Sequence, residues 1–207
     1  NHLTMYNRRD FIRQSALAGA GILLSPSVFS IGRSQSEKVI IGVVGTNSRG
    51  NYLARMFAQL PNVEVGYICD VDVNVLNKTV AEIEKLTGKK PKGEKDVRKL
   101  LEVKDLDAVV IAAPDHWHAP ATLMALKAGK HVYVEKPCSH NPAEGEMLAA
   151  AASKYNKLVQ MGNQRRSFPK MIEVVQALRE GIIGRVYFAK GWYANARKPI
   201  GVGKVTP

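Results

Sequence analysis

Residues 39–50 read Val-Ile-Ile-Gly-Val-Val-Gly-Thr-Asn-Ser-Arg-Gly, and this stretch decides the fold. Its first six residues form a short apolar run rich in β-branched side chains, which is typical of a strand buried on both faces. The glycine-containing segment that follows leads into a helical pattern from about Arg49 to Gln59, which ends before Pro61. A strand, a glycine turn and a helix in this order predict the first unit of a doubly wound parallel α/β sheet.

The same alternation continues along the chain. Further strands are predicted at residues 63–69, 107–112, 131–134 and 158–161, and further helices at residues 75–86, 97–101, 119–128 and 142–155. Strands and helices that alternate at this spacing predict right-handed crossovers in a parallel sheet of the Rossmann type.

The pattern changes after Gly162. A helix is predicted at residues 169–179, and residues 185–192 alternate like a strand of an open sheet. We interpret this part as the start of a second, incomplete α+β domain, because one strand cannot form a core by itself. The expected organisation is a signal and linker at 1–36, a dinucleotide-binding domain at 37–163, and the beginning of a substrate domain at 164–207.

The glycine turn predicts a site for the pyrophosphate of a dinucleotide. Between a strand and a helix, glycines permit a tight turn, and the helix N-terminus attracts phosphate. The turn departs from the pattern G-x-G-x-x-G at its second glycine, although asparagine tolerates unusual backbone angles better than most residues. The alternative is a plain glycine turn without a ligand. The candidate cofactor-binding residues here are Gly45, Thr46, Asn47, Arg49 and Gly50.

Asp70 is the predicted ribose-binding residue. It follows the second predicted strand and lies 20 positions after Gly50, where an acidic side chain hydrogen-bonds the adenosine ribose hydroxyls. A carboxylate there repels a 2′-phosphate, so NAD is expected rather than NADP. Asp72 is a weaker candidate, and the alternative for either residue is a helix-capping aspartate.

The first 36 residues have the composition of a targeting segment. Arg8-Arg9 is followed by Phe11-Ile12 and then by an apolar run at residues 16–24. This run is shorter than the roughly 20 residues of a membrane span, so no stable span is expected. The segment resembles a twin-arginine signal, which implies export of a folded protein to the periplasm by the twin-arginine machinery. The alternative is an amphipathic N-terminal helix.

Composition favours a globular protein and argues against several classes of function. The chain has 207 residues, of which 45% are hydrophobic and 23% are charged, and this balance is normal for a folded core. Its formal net charge is +12, but the lysines of residues 89–95 are not interleaved with aromatic side chains, so no nucleic-acid partner is expected. Cys69 and Cys138 do not make a disulfide framework, and both are interpreted as buried, reduced thiols.

Two further segments carry a family resemblance. Ala112-Ala113-Pro114-Asp115-His116-Trp117-His118 follows one predicted strand, and Glu135-Lys136-Pro137 follows the next. Together they resemble the Gfo/Idh/MocA family of oxidoreductases, which includes glucose-fructose oxidoreductase and inositol dehydrogenase. The resemblance implies that the first segment lies over the cofactor and that the lysine of the second projects toward the nicotinamide and the substrate hydroxyl. It also implies that residues 162–166 enter the site. The cofactor contacts added by the resemblance are Pro114, His116, Glu135, Lys136, Asn163 and Arg165.

The resemblance implies hydride transfer between NAD and a sugar, a polyol or a related hydroxy compound. Lys136 is the candidate general acid or base, because a proton must leave or join the substrate oxygen. His118 is a candidate catalytic contact, with a structural histidine as the alternative, and Arg165 is either a substrate contact or a solvated charge. No metal site is expected, since His116 and His118 lack further clustered ligands.

Two alternative functions stay open for the chain. An NAD-dependent glycosidase of the same fold would oxidise a sugar transiently, and the retained Glu135-Lys136-Pro137 segment favours a conventional dehydrogenase over it. A non-catalytic periplasmic protein that binds a sugar or nucleotide would keep the fold without turnover. The full-length protein is expected to be a homo-oligomer.

Overall fold

The computed structural model describes residues 38–193. The predicted export signal at residues 1–36 and the last residues, 194–207, lie outside the described part. The chain divides into two compact units, one ending at Met161 and the other beginning at Gly162. Across residues 38–193, no helix combines the length and the apolar character that crossing a membrane requires.

The first unit contains a six-stranded sheet with the order β3-β2-β1-β4-β5-β6. The pairs β1 with β2, β1 with β4, β2 with β3, and β4 with β5 are all parallel. This is the strand order of the doubly wound Rossmann fold, and the predicted doubly wound α/β fold of this unit is confirmed. The strands are β1 (Val39–Val44), β2 (Val63–Cys69), β3 (Lys92–Glu94), β4 (Ala108–Ile111), β5 (His131–Glu135) and β6 (Val159–Gly162).

Helices connect the strands, and three helices of the first unit begin at capping side chains. Asp72, Asp96 and Asn141 accept hydrogen bonds from backbone N–H groups in the first turns of α2, α3 and α5. Gly88 ends α2 with a φ of 73°, a left-handed conformation that glycine adopts without steric cost. The helices of the first unit are α1 (Arg49–Phe57), α2 (Val73–Thr87), α3 (Val97–Leu101), α4 (His118–Lys127) and α5 (Pro142–Tyr155).

The apolar core lies on both faces of the sheet because successive strand residues point to opposite sides. Ile41 and Val43 face helices α1 and α2, where they pack in a cluster with Leu53, Ala54, Leu76, Val80 and Ile83. Val44 belongs to the opposite cluster, whose helical members are Leu100, Leu101, Ala121, Ala125 and Leu126. The two clusters fix the helices against the sheet and thereby fix the ends of the strands.

Three features differ from the sequence prediction. Lys92–Glu94 forms an edge strand that lacks any apolar pattern, and it exists because its backbone pairs with β2. Residues 185–192 do not form the predicted strand. A strand needs a neighbour for its backbone hydrogen bonds, and none is paired with this segment among the described residues. Cys138 is half-buried rather than buried, whereas Cys69 is buried, and both thiols are free.

The second unit, described by itself, contains a 3₁₀ turn at Gln164–Ser167 and helix α6 (Pro169–Arg179). In the part of the chain that the structure describes, no residue of helix α6 is buried. Large apolar side chains are exposed after it, including Tyr187 at 92% and Trp192 at 80%.

Candidate functional site

The candidate site lies at the point where the strand order reverses. β1 pairs with β2 on one side and with β4 on the other, so the connections leaving β1 and β4 run in opposite directions. Ligands of doubly wound sheets bind in the crevice at the carboxyl ends of the strands on either side of such a point. Here Gly45 follows β1, and the Ala112–Ala113 segment follows β4.

Two glycines of the turn are required by close backbone approach. Gly45 has a φ of 78°, and a Cβ added to it would lie 2.6 Å from the N and Cα atoms of Ala113. A Cβ added to Gly50 would overlap the carbonyl oxygen of Gly45. The turn therefore brings the start of α1 against the end of β1 with no room for a side chain between them.

The N-terminus of α1 is open to an anion. Ser48 makes no capping hydrogen bond, and the first turn carries no acidic residue. The first N–H groups of a helix have no partner within the helix, and its N-terminus carries a partial positive charge. Asn47 is exposed and is not among the described residues with positive φ, so the backbone at this position does not require glycine. The glycine-lined turn and the uncapped helix together fit the pyrophosphate of a dinucleotide.

Asp70 follows β2 and faces the same turn. Its Oδ2 accepts hydrogen bonds from the Thr46 backbone N–H at 2.6 Å and from the Thr46 hydroxyl at 3.3 Å. Its Oδ1 accepts the N–H of Asp72 at 3.0 Å. A carboxylate has about four lone-pair positions, so acceptor capacity is left for ribose hydroxyls. Thr46 is 1% exposed, so this side chain supports the turn from behind, and its contact with cofactor stays a prediction.

An ion pair joins the glycine turn to the Glu135-Lys136-Pro137 segment. Arg49 Nε lies 2.8 Å from Glu135 Oε1, and the Glu135 side chain is only 4% exposed whereas that of Arg49 is 33% exposed. The Arg49 guanidinium also lies over the ring of Tyr52, 5.0 Å from its centroid. Because Glu135 directly precedes Lys136, this pair fixes the backbone before the lysine relative to the helix that faces the phosphates.

Burial also raises the pKa of two side chains around the crevice. Desolvation raises the pKa of Tyr133, and the negative charge of Glu135 raises it further while Arg49 opposes the shift. Desolvation raises the pKa of Cys69 to about 12, with additional contributions from Glu94 and Asp70. Both groups therefore stay neutral at physiological pH.

Lys136 has an exposed side chain at the end of β5. Within residues 38–193, its ammonium takes part in no hydrogen bond or ion pair that fixes it to the protein. Its peptide bond to Pro137 is cis. The lysine is thus the one member of its motif that is free to reach a ligand.

His118 is the first residue of α4 and is 2% exposed. Its Nε2 lies 2.8 Å from the carbonyl oxygen of Ala113, and its Nδ1 lies 2.6 Å from the carbonyl oxygen of Pro137. Both ring nitrogens are therefore engaged by the protein, and no nitrogen is left for a substrate hydroxyl. This geometry fits the structural alternative for His118 better than the predicted catalytic contact.

The remaining predicted contacts are exposed. Pro114 precedes the 3₁₀ turn at Asp115–Trp117, and His116 lies within it. Asn163 and Arg165 belong to the second unit, where both are exposed and the N–H of Phe168 donates to the carbonyl of Arg165. Their contact with a cofactor stays a prediction.

The sequence matches the model of a family described as an oxidoreductase family with an NAD-binding Rossmann fold, over residues 39–163. The chain belongs to the Gfo/Idh/MocA oxidoreductase family. The family match includes the glycine turn, Asp70 and Lys136, and it ends at Asn163. The Gfo/Idh/MocA resemblance predicted from the sequence is confirmed.

Relatives of this Gfo/Idh/MocA chain carry two kinds of name. A curated relative from Saccharopolyspora erythraea, named Glycosyl hydrolase family 109 protein, is 28% identical over 92% of this chain and 46% of its own length. A probable dehydrogenase from Thermotoga maritima has a TM-score of 0.61 and 28% identity over 70% of this chain and 42% of its own. The apo scyllo-inositol dehydrogenase of Lactobacillus casei has a TM-score of 0.63 and 26% identity over 72% and 43%. The chain spans about half the length of the curated relatives it matches.

Sequence reasoning missed the contacts that hold the motifs together. It treated Arg49 and Glu135 as separate cofactor contacts, although they pair with each other across 86 residues of sequence. It also missed the two carbonyl partners of His118. The only sequence signal for either arrangement is that each residue lies at the carboxyl end of a strand or the start of a helix, where such groups converge.

Proposed function

We propose that this chain is the cofactor-binding part of an NAD-dependent oxidoreductase that acts on a hydroxyl-bearing carbon of a sugar, a polyol or a related compound. The observation that carries the proposal is the free Lys136, whose neighbour Glu135 is tied to the first residue of the phosphate-facing helix by an ion pair of 2.8 Å. A proton-transfer group is thereby held on the same crevice that fits the dinucleotide.

Each residue has a distinct part in this reaction. The N–H groups at the start of α1 bind the pyrophosphate, and Asp70 binds the ribose hydroxyls, where its charge disfavours a 2′-phosphate. NAD supplies or accepts the hydride when it is bound. Lys136 Nζ takes the proton from the substrate hydroxyl during oxidation and returns it during reduction. Preference for NAD over NADP rests on Asp70 and is part of the proposal.

Lys136 is tested by separating cofactor binding from turnover. In the full-length protein, Lys136→Ala is expected to bind NAD with nearly unchanged affinity and to lose about 10²–10⁴-fold in the rate of NADH formation, the usual contribution of a positioned acid or base. The matched control is Lys127→Ala, an exposed lysine in the last turn of α4. Unchanged turnover in Lys136→Ala across a panel of sugars and polyols would remove the lysine from the mechanism.

An NAD-dependent glycosidase is the second candidate, and the names of the curated relatives favour it. The two reactions differ in their cofactor balance, because a glycosidase returns the hydride to the sugar and accumulates no NADH. Incubation of the full-length protein with a chromogenic glycoside and NAD separates them. Release of the leaving group without net NADH supports the glycosidase, and NADH formation from a free sugar or polyol supports the dehydrogenase.

The export route and the assembly belong to the same proposal. Arg8-Arg9 and the apolar run behind it support export of the folded protein to the periplasm by the twin-arginine machinery. Replacement of both arginines by lysine is expected to retain a fused reporter in the cytoplasm, and unimpeded export would contradict this route. A homo-oligomer is proposed for the full-length protein, which light scattering measures directly.

A further inference from the structure

We propose that His118 is a positioning residue that fixes the backbone beside Lys136, because its two ring nitrogens lie within hydrogen-bond distance of carbonyl groups in two separate loops. The inference rests on the proposed function, because it assigns a purpose to the placement of Lys136. The residues on either side of Lys136 are both held, while its own side chain is free. Glu135 is held by Arg49 from the glycine turn, and Pro137 is held by His118 from the start of α4.

The His118 ring joins two carbonyl groups that belong to different loops. Its Nε2 lies 2.8 Å from the carbonyl oxygen of Ala113, and its Nδ1 lies 2.6 Å from the carbonyl oxygen of Pro137. His118 is 2% exposed, so solvent replaces neither contact without a structural change.

The two carbonyls belong to the two walls of the crevice. Ala113 follows β4 and lies against Gly45, since a Cβ on Gly45 would come within 2.6 Å of its backbone. Pro137 directly follows the catalytic candidate. The bridge Ala113–His118–Pro137 therefore sets the separation between the glycine turn and the backbone of Lys136. A displacement of about 1 Å in such a group is enough to reduce a reaction rate by about 10²-fold.

The test measures the position of Lys136 through its reactivity. An amine-acylating reagent modifies Lys136, and mass spectrometry follows the rate with and without NAD⁺ in the full chain. At a NAD⁺ concentration of ten times Kd, wild type is expected to show about tenfold protection, since labelling then proceeds through the free fraction. His118→Phe removes both ring nitrogens and is expected to bind NAD⁺ within about threefold of wild type but to retain less than about twofold protection. His118→Gln keeps a polar group that can bond one of the two carbonyls, and its protection is expected to lie between the two.

Thr122→Val is the matched control. Thr122 lies one turn further along α4, is fully buried, and its hydroxyl has no hydrogen-bond partner among the described residues. The valine keeps the shape and removes no hydrogen bond, so wild-type protection is expected. Equal protection in wild type, His118→Phe and His118→Gln would overturn the positioning role while leaving the proposed function intact. Absence of NAD⁺ binding to wild type would instead refute the proposed function, and the positioning role with it.

Discussion

Removal of Arg49 is expected to destabilise the protein far more than loss of an ordinary surface ion pair. Arg49→Met removes the guanidinium that lies 2.8 Å from the Glu135 carboxylate, whose side chain is 4% exposed. Breaking a fully buried pair costs about 3–5 kcal/mol. The Arg49 side chain is 33% exposed, so water reaches the gap, and we expect a loss of about 2–3 kcal/mol in the free energy of unfolding. Glu135→Gln leaves a cation that water can reach, so about 1 kcal/mol is expected.

A double-mutant cycle in urea measures this coupling. The combined Arg49→Met and Glu135→Gln variant is expected to lose about 1–2 kcal/mol less than the sum of the single variants, because both changes remove the same ion pair. Lys89→Met is the control, since the Lys89–Glu64 pair has side chains 64% and 31% exposed, and its loss is expected to cost less than about 1 kcal/mol. Additivity of the two single changes within about 0.5 kcal/mol would refute the reasoning.

Three further predictions concern Gly50, Asp70 and Cys69. Gly50→Ala is expected to lose at least tenfold in NAD affinity and about 1–3 kcal/mol in the free energy of unfolding, because the added Cβ overlaps the Gly45 carbonyl oxygen. Wild-type NAD affinity of this variant by calorimetry would contradict the close approach of the two glycines. Asp70→Ala is expected to weaken NAD binding and to relax the discrimination against NADP, and unchanged affinity for both would remove Asp70 from the site. Burial raises the pKa of Cys69 to about 12, so the thiol stays protonated below that pH. Iodoacetamide is therefore expected to modify Cys138 before Cys69. Equal alkylation rates of the two cysteines by mass spectrometry would show that Cys69 is accessible and ionised.

The strands of the sheet could be predicted where the amino-acid pattern itself carries the information. Residues 41–44 of the apolar β-branched run at 39–44 are buried, which is typical of a strand covered on both faces. Lys92–Glu94 could not be predicted, since its three residues carry no pattern and its only reason to be extended is the backbone of β2. Residues 185–192 show the opposite case. Their sequence alternates as that of a strand does, but they form no strand because no described strand pairs with them.

The candidate site likewise has residues that the sequence predicts and contacts that it does not. Gly45, Gly50 and Asp70 were predicted from their spacing after strands, and that spacing has a direct geometric meaning in this fold. The ion pair of Arg49 with Glu135 and the two carbonyl partners of His118 depend on which strand ends lie side by side. That information belongs to the strand order rather than to any local stretch of sequence.

The central claim is that a dinucleotide binds at the β1–α1 turn with Lys136 beside it, and calorimetric titration of the chain without residues 1–36 tests it most directly. NAD, NADH and NADP are titrated into wild type and into Gly50→Ala. The structure predicts that wild type binds NAD and NADH, discriminates against NADP, and loses at least tenfold in affinity when Gly50 is replaced. Absence of NAD binding to wild type, or equal binding to Gly50→Ala, would contradict the placement of the cofactor at this turn.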